Sequence, residues 1–139
     1  PKVNSKKGKK LMDTLSAVME KGVVKACHDL SEGGIGVAAA EMAFAGGLGM
    51  VIHLEQVPLG EAMNRDDYVL FSESNTRFLV EVTPEDSHQF EGMMAGIDFA
   101  AIGQVTSKKR LEVYGLNKEV VLSALISELK EAWQRPLRW

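Results

Sequence analysis

Five stretches of the chain place apolar residues three or four positions apart, which is the spacing of one buried helix face. The first contains Leu11, Leu15 and Val18 and is followed by Gly22, a residue type common at helix ends. The first three predicted helices are one that ends at Gly22, one from Ile35 to Gly46-Gly47, and one within Leu59–Leu70. The fourth runs from Pro84 to Met94 with Thr83 as N-cap. The fifth is capped by Asn117 and ends at Arg135-Pro136, and its apolar stripe consists of Val120, Val121, Leu125 and Leu129.

Short runs of β-branched and other apolar residues, bounded by glycine, proline or polar turns, predict five strands. The last two runs are joined by the basic turn Ser107–Arg110, so we expect them to pair as a hairpin. The five predicted strands are Val23–Cys27, Leu48–Leu54, Arg77–Val82, Ala100–Val105 and Leu111–Tyr114.

The predicted elements follow one another as α, β, α, β, (α), β, α, β, β and α, which indicates an α+β fold. A single domain over residues 1–139 is expected, because the chain has no linker, internal repeat or low-complexity segment. We expect four or five strands in one mixed β-sheet flanked by helices, which would bury apolar faces on both sides.

Composition narrows the possible functions. The chain has 139 residues, 45% of them hydrophobic and 25% charged, which is typical of a globular domain able to bury a core. Its net charge of −3 and scattered basic residues argue against a nucleic-acid surface. No apolar run is long enough to cross a membrane, and no signal-peptide pattern is present. The single Cys27 fits a reducing, cytoplasmic compartment, and the start at Pro1 without methionine predicts a domain excised from a longer chain.

The segment that begins at His28 has the pattern of a strand ending in a glycine-rich turn that opens a helix. Glycine allows positive φ and close backbone approach, and the first N–H groups of a helix bind anions. One interpretation is a phosphate site formed by His28, Asp29, Ser31, Gly33 and Gly34. A tight turn with close helix packing is the other, and the spacing matches neither the Walker loop nor the dinucleotide fingerprint.

A second polar segment, Ser72, Glu73, Ser74 and Asn75, lies between two apolar runs. In a binding site, Glu73 would contact a magnesium ion or a ligand hydroxyl, and the serines and Asn75 would act as neutral donors. A cluster of capping and turn residues explains the same pattern. Both interpretations stay open on the residues alone.

Other reactive residue types favour structural roles. His53 lies in a predicted strand without a second histidine at metal-binding spacing, and Cys27 lies in an apolar run that is typical of a buried thiol. The lysines of Lys6–Lys10 favour a solvated helix face over a phosphate site. No serine has the surroundings of a nucleophile elbow, so hydrolase chemistry is not supported. We predict no catalytic and no metal-binding residue in this chain.

Three motifs carry a resemblance to a known family. His28–Gly34, Ala39–Ala43 and Leu70–Phe78 closely resemble the second half of the synthetase subunit of formylglycinamide ribonucleotide amidotransferase, also called phosphoribosylformylglycinamidine synthase. Ile102–Val105 is similar to the late strand of that family, so the resemblance extends along the chain. Related enzymes that share these motifs include aminoimidazole ribonucleotide synthetase and selenophosphate synthetase.

The resemblance implies a fold like the carboxy-terminal domain of AIR synthase, with a mixed sheet between helices in α/β/α layers. It implies that the parent enzyme amidates formylglycinamide ribonucleotide in de novo purine biosynthesis with ATP and Mg²⁺, neither of which this domain alone demands. The implied partners are the remaining domains of the synthetase subunit, a glutaminase subunit and a small PurS-type subunit, with a homo-oligomer as a further possibility. The family's catalytic histidine belongs to amino-terminal domains, so the isolated domain is expected to be inactive.

For the second polar segment, the resemblance implies contact with the ribonucleotide substrate or with an auxiliary nucleotide. The residues concerned are Ser72, Glu73, Ser74 and Asn75, where the family more often has glutamine at the last position. Two alternatives remain: a domain of aminoimidazole ribonucleotide or selenophosphate synthetase, and a non-catalytic protein-interaction module. The Ser-Glu-Ser element followed by Thr-Arg-Phe favours the amidotransferase.

Overall fold

The computed structural model describes residues 3–138, so Pro1, on which the expectation of an excised domain rests, lies outside the described residues. The elements in chain order are α1 (Ser5–Glu20), β1 (Val24–Asp29), α2 (Gly34–Gly46), β2 (Gly49–His53), α3 (Asp66–Phe71), β3 (Phe78–Val82), α4 (Ser87–Met93), β4 (Gly103–Thr106), β5 (Arg110–Tyr114), β6 (Val120–Leu125) and α5 (Ile126–Gln134), with short 3₁₀ helices at Leu54–Gln56 and Arg135–Leu137.

These elements belong to two compact units, each built from two separate stretches of the chain. The first unit extends to Ser31 and resumes over Glu73–Phe99. The second unit comprises Glu32–Ser72 and the residues from Ala100 onward. A single domain over residues 1–139 stays a prediction.

The first unit contains α1, α4 and an antiparallel pair of strands, β1 and β3, in which Asp29 lies opposite Phe78. Val18, Val23 and Met94 are buried together and form its core. The predicted first helix and its end before Gly22 are confirmed, and the structure adds its start. The Asn4 side chain accepts the Lys7 N–H at 3.1 Å, and beyond the last turn Gly22 has φ +73°.

The second unit is built on a four-stranded sheet with the order β4-β2-β5-β6. β2 runs antiparallel to β4 and parallel to β5, and β5 runs antiparallel to β6. The buried side chains of the sheet alternate along its central strands, as strand geometry requires. They are Met50 and Ile52 on β2 and Leu111 and Val113 on β5.

Small side chains on α2 allow close packing inside the second unit. Ala38, Ala39 and Ala43 are buried, and the helix ends at Gly47, whose φ of +65° is typical of a glycine C-cap. The Trp133 ring of α5 lies 5.8 Å from the Phe44 ring. Its Nε1 donates a hydrogen bond of 2.7 Å to Glu41, so ring packing and a polar contact both hold α5 against α2.

The predicted hairpin between the runs now seen as β4 and β5 is wrong, because β2 lies between them. Val51 of β2 pairs with Gln104 on one side and with Glu112 on the other. Two glycines permit this arrangement. A Cβ atom on Gly103 would overlap the Val51 carbonyl oxygen, and one on Gly49 would overlap the Lys108 carbonyl oxygen. The close approach of distant backbones leaves no periodic signal in the local sequence.

The predicted last helix is also wrong in its first half, where the chain forms β6. Ser123 lies opposite Glu112 of β5, and the connecting turn contains Asn117 and Lys118, the latter with φ +62°. Asn117 therefore caps no helix. Adjacent β-branched residues favour a strand, and α5 begins only at Ile126. The predicted end at Arg135-Pro136 is confirmed, since α5 stops at Gln134.

Two other predicted helices are shorter in the structure. Residues Pro84–Asp86 form a turn in which Thr83 accepts the Asp86 N–H through its side chain at 3.3 Å and its carbonyl at 3.1 Å. Pro84, the predicted first residue of this helix, lies in that turn, and α4 begins at Ser87 instead. Within Leu59–Leu70, the α-helix begins only at Asp66.

The predicted α+β class and the mixed sheet are confirmed. The expectation of one sheet is wrong, because β1 and β3 form a separate two-stranded sheet. Their pairing links stretches about fifty residues apart, and the spacing of apolar residues gives no information on such distant partners.

Candidate functional site

The first predicted motif begins at the carboxyl end of β1, in the first unit. His28 Nδ1 lies 2.7 Å from the Asp29 carbonyl oxygen and 3.7 Å from its carboxylate. The Ser31 hydroxyl donates a hydrogen bond to the other carboxylate oxygen of Asp29. The structure thus brings these three predicted residues together around one carboxylate.

This arrangement determines the charge at the end of β1. The hydrogen bond from Ser31 is the main reason that the pKa of Asp29 lies below its ordinary value, and His28 makes a smaller contribution. Asp29 is therefore a stable carboxylate at neutral pH. Burial raises the pKa of the Cys27 thiol, with a contribution from Asp29, so Cys27 is poorly suited to act as a nucleophile.

The glycine turn that opens α2 lies in the second unit. Gly33 and Gly34 have φ values of +72° and +58°, a region that glycine adopts readily. A Cβ on Gly34 would lie 2.6 Å from the Ser72 carbonyl oxygen and 2.9 Å from that of Leu70. A Cβ on Gly33 would overlap the Val37 side chain. Both glycines are thus required by local packing.

That packing joins the two predicted motifs, since Ser72 belongs to the second polar segment. Ser72 follows α3 directly and is half-buried, and its backbone lies against Gly34. The other three residues of the segment, Glu73, Ser74 and Asn75, are exposed and belong to the first unit. Of the nine predicted residues, Gly33, Gly34 and Ser72 lie in the second unit and the other six in the first.

Sequence reasoning used Thr76 and Arg77 for the family resemblance and Arg77 for a strand, but predicted no role for either in the site. Thr76 has φ +63°, and Arg77 is half-buried, which lowers the pKa of its guanidinium. Thr76 also lies close to Gly8 of α1, in the same unit. A glycine among the lysines of α1 was the available signal, because glycine weakens a helix interior unless something approaches it closely.

The groups predicted to be structural have neighbours that fit that role. Lys9 pairs with Asp13 at 2.6 Å, and Lys10 donates to the Gly96 carbonyl at 2.9 Å, as expected for a solvated helix face. The His53 ring stacks on Tyr114 with centroids 5.1 Å apart. Across residues 3–138, no group of three or more His, Cys, Asp or Glu side chains has a geometry that could hold a metal ion. No helix in that range is long and apolar enough to cross a membrane.

A comparison with protein families gives one match over most of the chain. Residues 1–115 match the family described as AIR synthase related protein, C-terminal domain. The matched range ends at the turn between β5 and β6, so β6 and α5 lie beyond it.

Curated relatives extend the similarity beyond that range. The chain is 32% identical over 138 residues to phosphoribosylformylglycinamidine synthase subunit PurL of Deinococcus radiodurans, which covers 99% of the chain. PurL of Limosilactobacillus reuteri is 39% identical over 126 residues, or 91% of the chain, and PurL of Thermoplasma acidophilum 34% over 130 residues, or 89%. The chain spans 16–18% of the length of these relatives.

Solved structures of Thermotoga maritima PurL have the same fold. The structure of PurLQS aligns with a TM-score of 0.79 and 26% identity over 88% of this chain and 21% of the other. PurL complexed with FGAR aligns with a TM-score of 0.77 and 26% identity over 88% of this chain and 20% of the other. The sequence resemblance is confirmed, and the chain belongs to the family of the C-terminal domain of AIR synthase related proteins.

Proposed function

We propose that this chain is the carboxy-terminal domain of the synthetase subunit of phosphoribosylformylglycinamidine synthase. That enzyme would convert formylglycinamide ribonucleotide to formylglycinamidine ribonucleotide with ATP, in de novo purine biosynthesis in the cytoplasm. The observation that carries the proposal is the similarity to PurL of Deinococcus radiodurans over 99% of the chain, including β6 and α5. A match restricted to the shared superfamily core would not distinguish PurL from its relatives.

The ligands of the parent follow from the structures that align with this chain. Thermotoga maritima PurL has been solved in complex with ATP, ADP, AMPPCP and FGAR. ATP and the ribonucleotide are therefore the proposed ligands of the parent. PurLQS supports partner subunits, for which we propose a glutaminase subunit and a small PurS-type subunit beside the remaining synthetase domains.

Within this domain, we assign different chemistry to three sets of groups. The first N–H groups of α2, beyond Gly33 and Gly34, are suited to a phosphate oxygen because helix amino termini attract anions. His28, Asp29 and Ser31 are the other proposed nucleotide contacts, and the Asp29 carboxylate suits a hydroxyl of the nucleotide better than its phosphate because like charges repel. Glu73, Ser74 and Asn75 supply a carboxylate, a hydroxyl and an amide to a ribonucleotide or an auxiliary nucleotide.

Magnesium is the proposed metal of the parent, yet the residues described here do not fit a magnesium site. Mg²⁺ prefers several oxygen ligands in octahedral geometry, and residues 3–138 contain no suitable cluster of carboxylates. We therefore assign the metal ligands to other domains of the parent.

The proposal is tested by exchanging domains. This chain replaces the matching segment of Limosilactobacillus reuteri PurL, and the chimera is expressed in a purine auxotroph that lacks the subunit. We expect growth without added purine and formation of formylglycinamidine ribonucleotide by the purified complex. A chimera that folds and assembles with its partner subunits but makes no product would contradict the proposal.

The same chimera tests the polar segment. Glu73→Gln should raise the KM for the ribonucleotide about tenfold, because a charge-assisted contact is worth about 1.5–3 kcal/mol. The matched control is Glu61→Gln, at an exposed carboxylate outside any helix or strand, which should leave KM unchanged. Equal effects of the two substitutions would remove the ligand role of Glu73.

A further inference from the structure

The backbone of Thr76 is in an unfavourable conformation. Its φ of +63° is in the left-handed region, and Lys118 is the one other non-glycine residue with positive φ among residues 3–138. A β-branched side chain is disfavoured there, because its Cβ substituents crowd the adjacent carbonyl. Such a conformation persists only where surrounding contacts enforce it.

One of those contacts comes from α1, in the same unit as Thr76. The methyl and the hydroxyl oxygen of Thr76 each lie 3.3 Å from the position that a Cβ on Gly8 would occupy. Gly8 is buried, one turn inside α1. Alanine is the better helix former, so the glycine indicates that Thr76 needs this close approach.

The other side of Thr76 is fixed by the β1–β3 ladder. The Leu30 N–H donates to the Arg77 carbonyl oxygen at 3.0 Å, and Phe78 lies opposite Asp29. Thr76 therefore connects the exposed segment Glu73–Asn75 to the hydrogen-bonded ladder. The direction in which that segment leaves the ladder depends on the φ of Thr76.

We propose that Thr76, held by its contact with Gly8, is a positioning residue that fixes the orientation of Glu73–Asn75 toward their ligand. The proposal rests on the ligand role proposed above for that segment. The contact with Gly8 selects the left-handed conformation of Thr76, and this conformation sets the path of the three preceding residues.

The first measurement uses the 139-residue chain and needs no enzyme activity. In Thr76→Gly, the left-handed conformation remains accessible, but the contact with Gly8 is lost. We expect the ¹⁵N order parameters of residues 73–75 to fall from about 0.85 to below about 0.6, while those of β1 and β3 stay unchanged. The matched control is Lys118→Gly, which also replaces a left-handed residue by glycine and should leave residues 73–75 unchanged.

A double substitution tests the contact itself. Gly8→Ala should lower the same order parameters, because its methyl displaces Thr76. Once Thr76 is glycine, the added methyl meets only the Met12 side chain, at an ordinary contact distance of 3.9 Å, so Gly8→Ala should have no further effect on residues 73–75. Additive losses, or unchanged order parameters in Thr76→Gly, would overturn the proposal.

The chimera then connects orientation with ligand binding. Thr76→Gly should raise the KM for the ribonucleotide about tenfold with kcat nearly unchanged, the pattern of lost binding rather than lost chemistry. If Thr76→Gly lowers the order of the segment but leaves KM constant, the KM of Glu73→Gln distinguishes between the two explanations. A raised KM in Glu73→Gln alone overturns the positioning role, and an unchanged KM in both variants overturns the ligand role of the segment.

Discussion

At the scale of single residues, the glycine turn shows how packing and ligand binding place the same demand on a sequence. Gly33 and Gly34 suit an anion site, yet the space beside Gly34 is filled by the backbone of Leu70–Ser72. Packing alone therefore explains why a side chain is excluded. The anion-binding role depends on the N–H groups of α2 and remains part of the proposed function.

Gly34→Ala should destabilise the chain by about 3 kcal/mol, because a left-handed alanine and an overpacked contact each cost about 1–3 kcal/mol. Denaturant unfolding would measure the loss. Gly46→Ala in the same helix is the control, since nothing lies within 4 Å of its added Cβ and its φ is not positive. We expect it to be neutral or slightly stabilising. Similar losses in both variants would show that the contact with Ser72 is unimportant.

Ser31→Ala should shift the titration of Asp29. The Ser31 hydroxyl is the main cause of the lowered pKa of Asp29, so its removal should raise that pKa toward the ordinary value. A lowered pKa adds stability above about pH 4 that is lost as the pH falls through the folded-state value. The variant should therefore be less stable at neutral pH, and its stability should fall less than that of the unsubstituted chain as the pH is lowered. NMR titration of the Asp29 carboxyl would measure the shift, with Ser87→Ala, whose hydroxyl donates to the Pro84 carbonyl, as control.

At the scale of elements, local signals predicted what local contacts determine. α1, α2 and the strands β1, β2 and β3 are where the sequence indicates, because their apolar spacing and glycine ends are properties of each segment. The replacement of the predicted hairpin by two neighbours of β2 depends on pairing between distant segments. β6 differs, because it pairs with the preceding strand β5 through a short turn and its adjacent β-branched residues were a local signal for a strand. For the candidate site, the chemistry of Asp29 and Ser31 was predictable, whereas the contact between Thr76 and Gly8 joins residues 68 positions apart.

The docking of α5 on α2 should depend on Trp133. Trp133→Ala removes the ring contact with Phe44 and the hydrogen bond to Glu41, and should cost about 2 kcal/mol, less than for a fully buried tryptophan. Trp133→Phe keeps ring packing and should cost about 1 kcal/mol. Thermal unfolding would measure both, with exposed Leu137→Ala as a near-neutral control. Equal losses for alanine and phenylalanine would assign the stability to the hydrogen bond alone.

At the scale of the whole molecule, the chain corresponds to less than a fifth of the relatives it matches. The purified chain should therefore form no formylglycinamidine ribonucleotide from ammonia, ATP and substrate. Product assays against a blank without protein would measure this. Turnover that persists in a preparation free of host enzyme would show that the chain carries a complete active site.

Exposed apolar side chains in both units predict association. In the first unit, Met12 and Met19 lie two turns apart on α1 and are 53% and 47% exposed. In the second unit, Tyr68 and Phe71 lie one turn apart on α3 and are 53% and 51% exposed. Contiguous exposed apolar surface usually marks an interface. We expect self-association or tight binding to the remaining synthetase domains, measured by sedimentation velocity. A strict monomer at high concentration that also ignores those domains would contradict this expectation.

The interleaved path of the chain has a consequence for its synthesis. β2 is synthesised about fifty residues before the first of its two neighbours in the sheet, and about fifty residues also separate β1 from its partner β3. Neither sheet can close before its later strands have been synthesised, so the edges of β1 and β2 stay unpaired over that interval. For the same reason, a single protease cut between Ser72 and Glu73 leaves each unit with strands from both fragments.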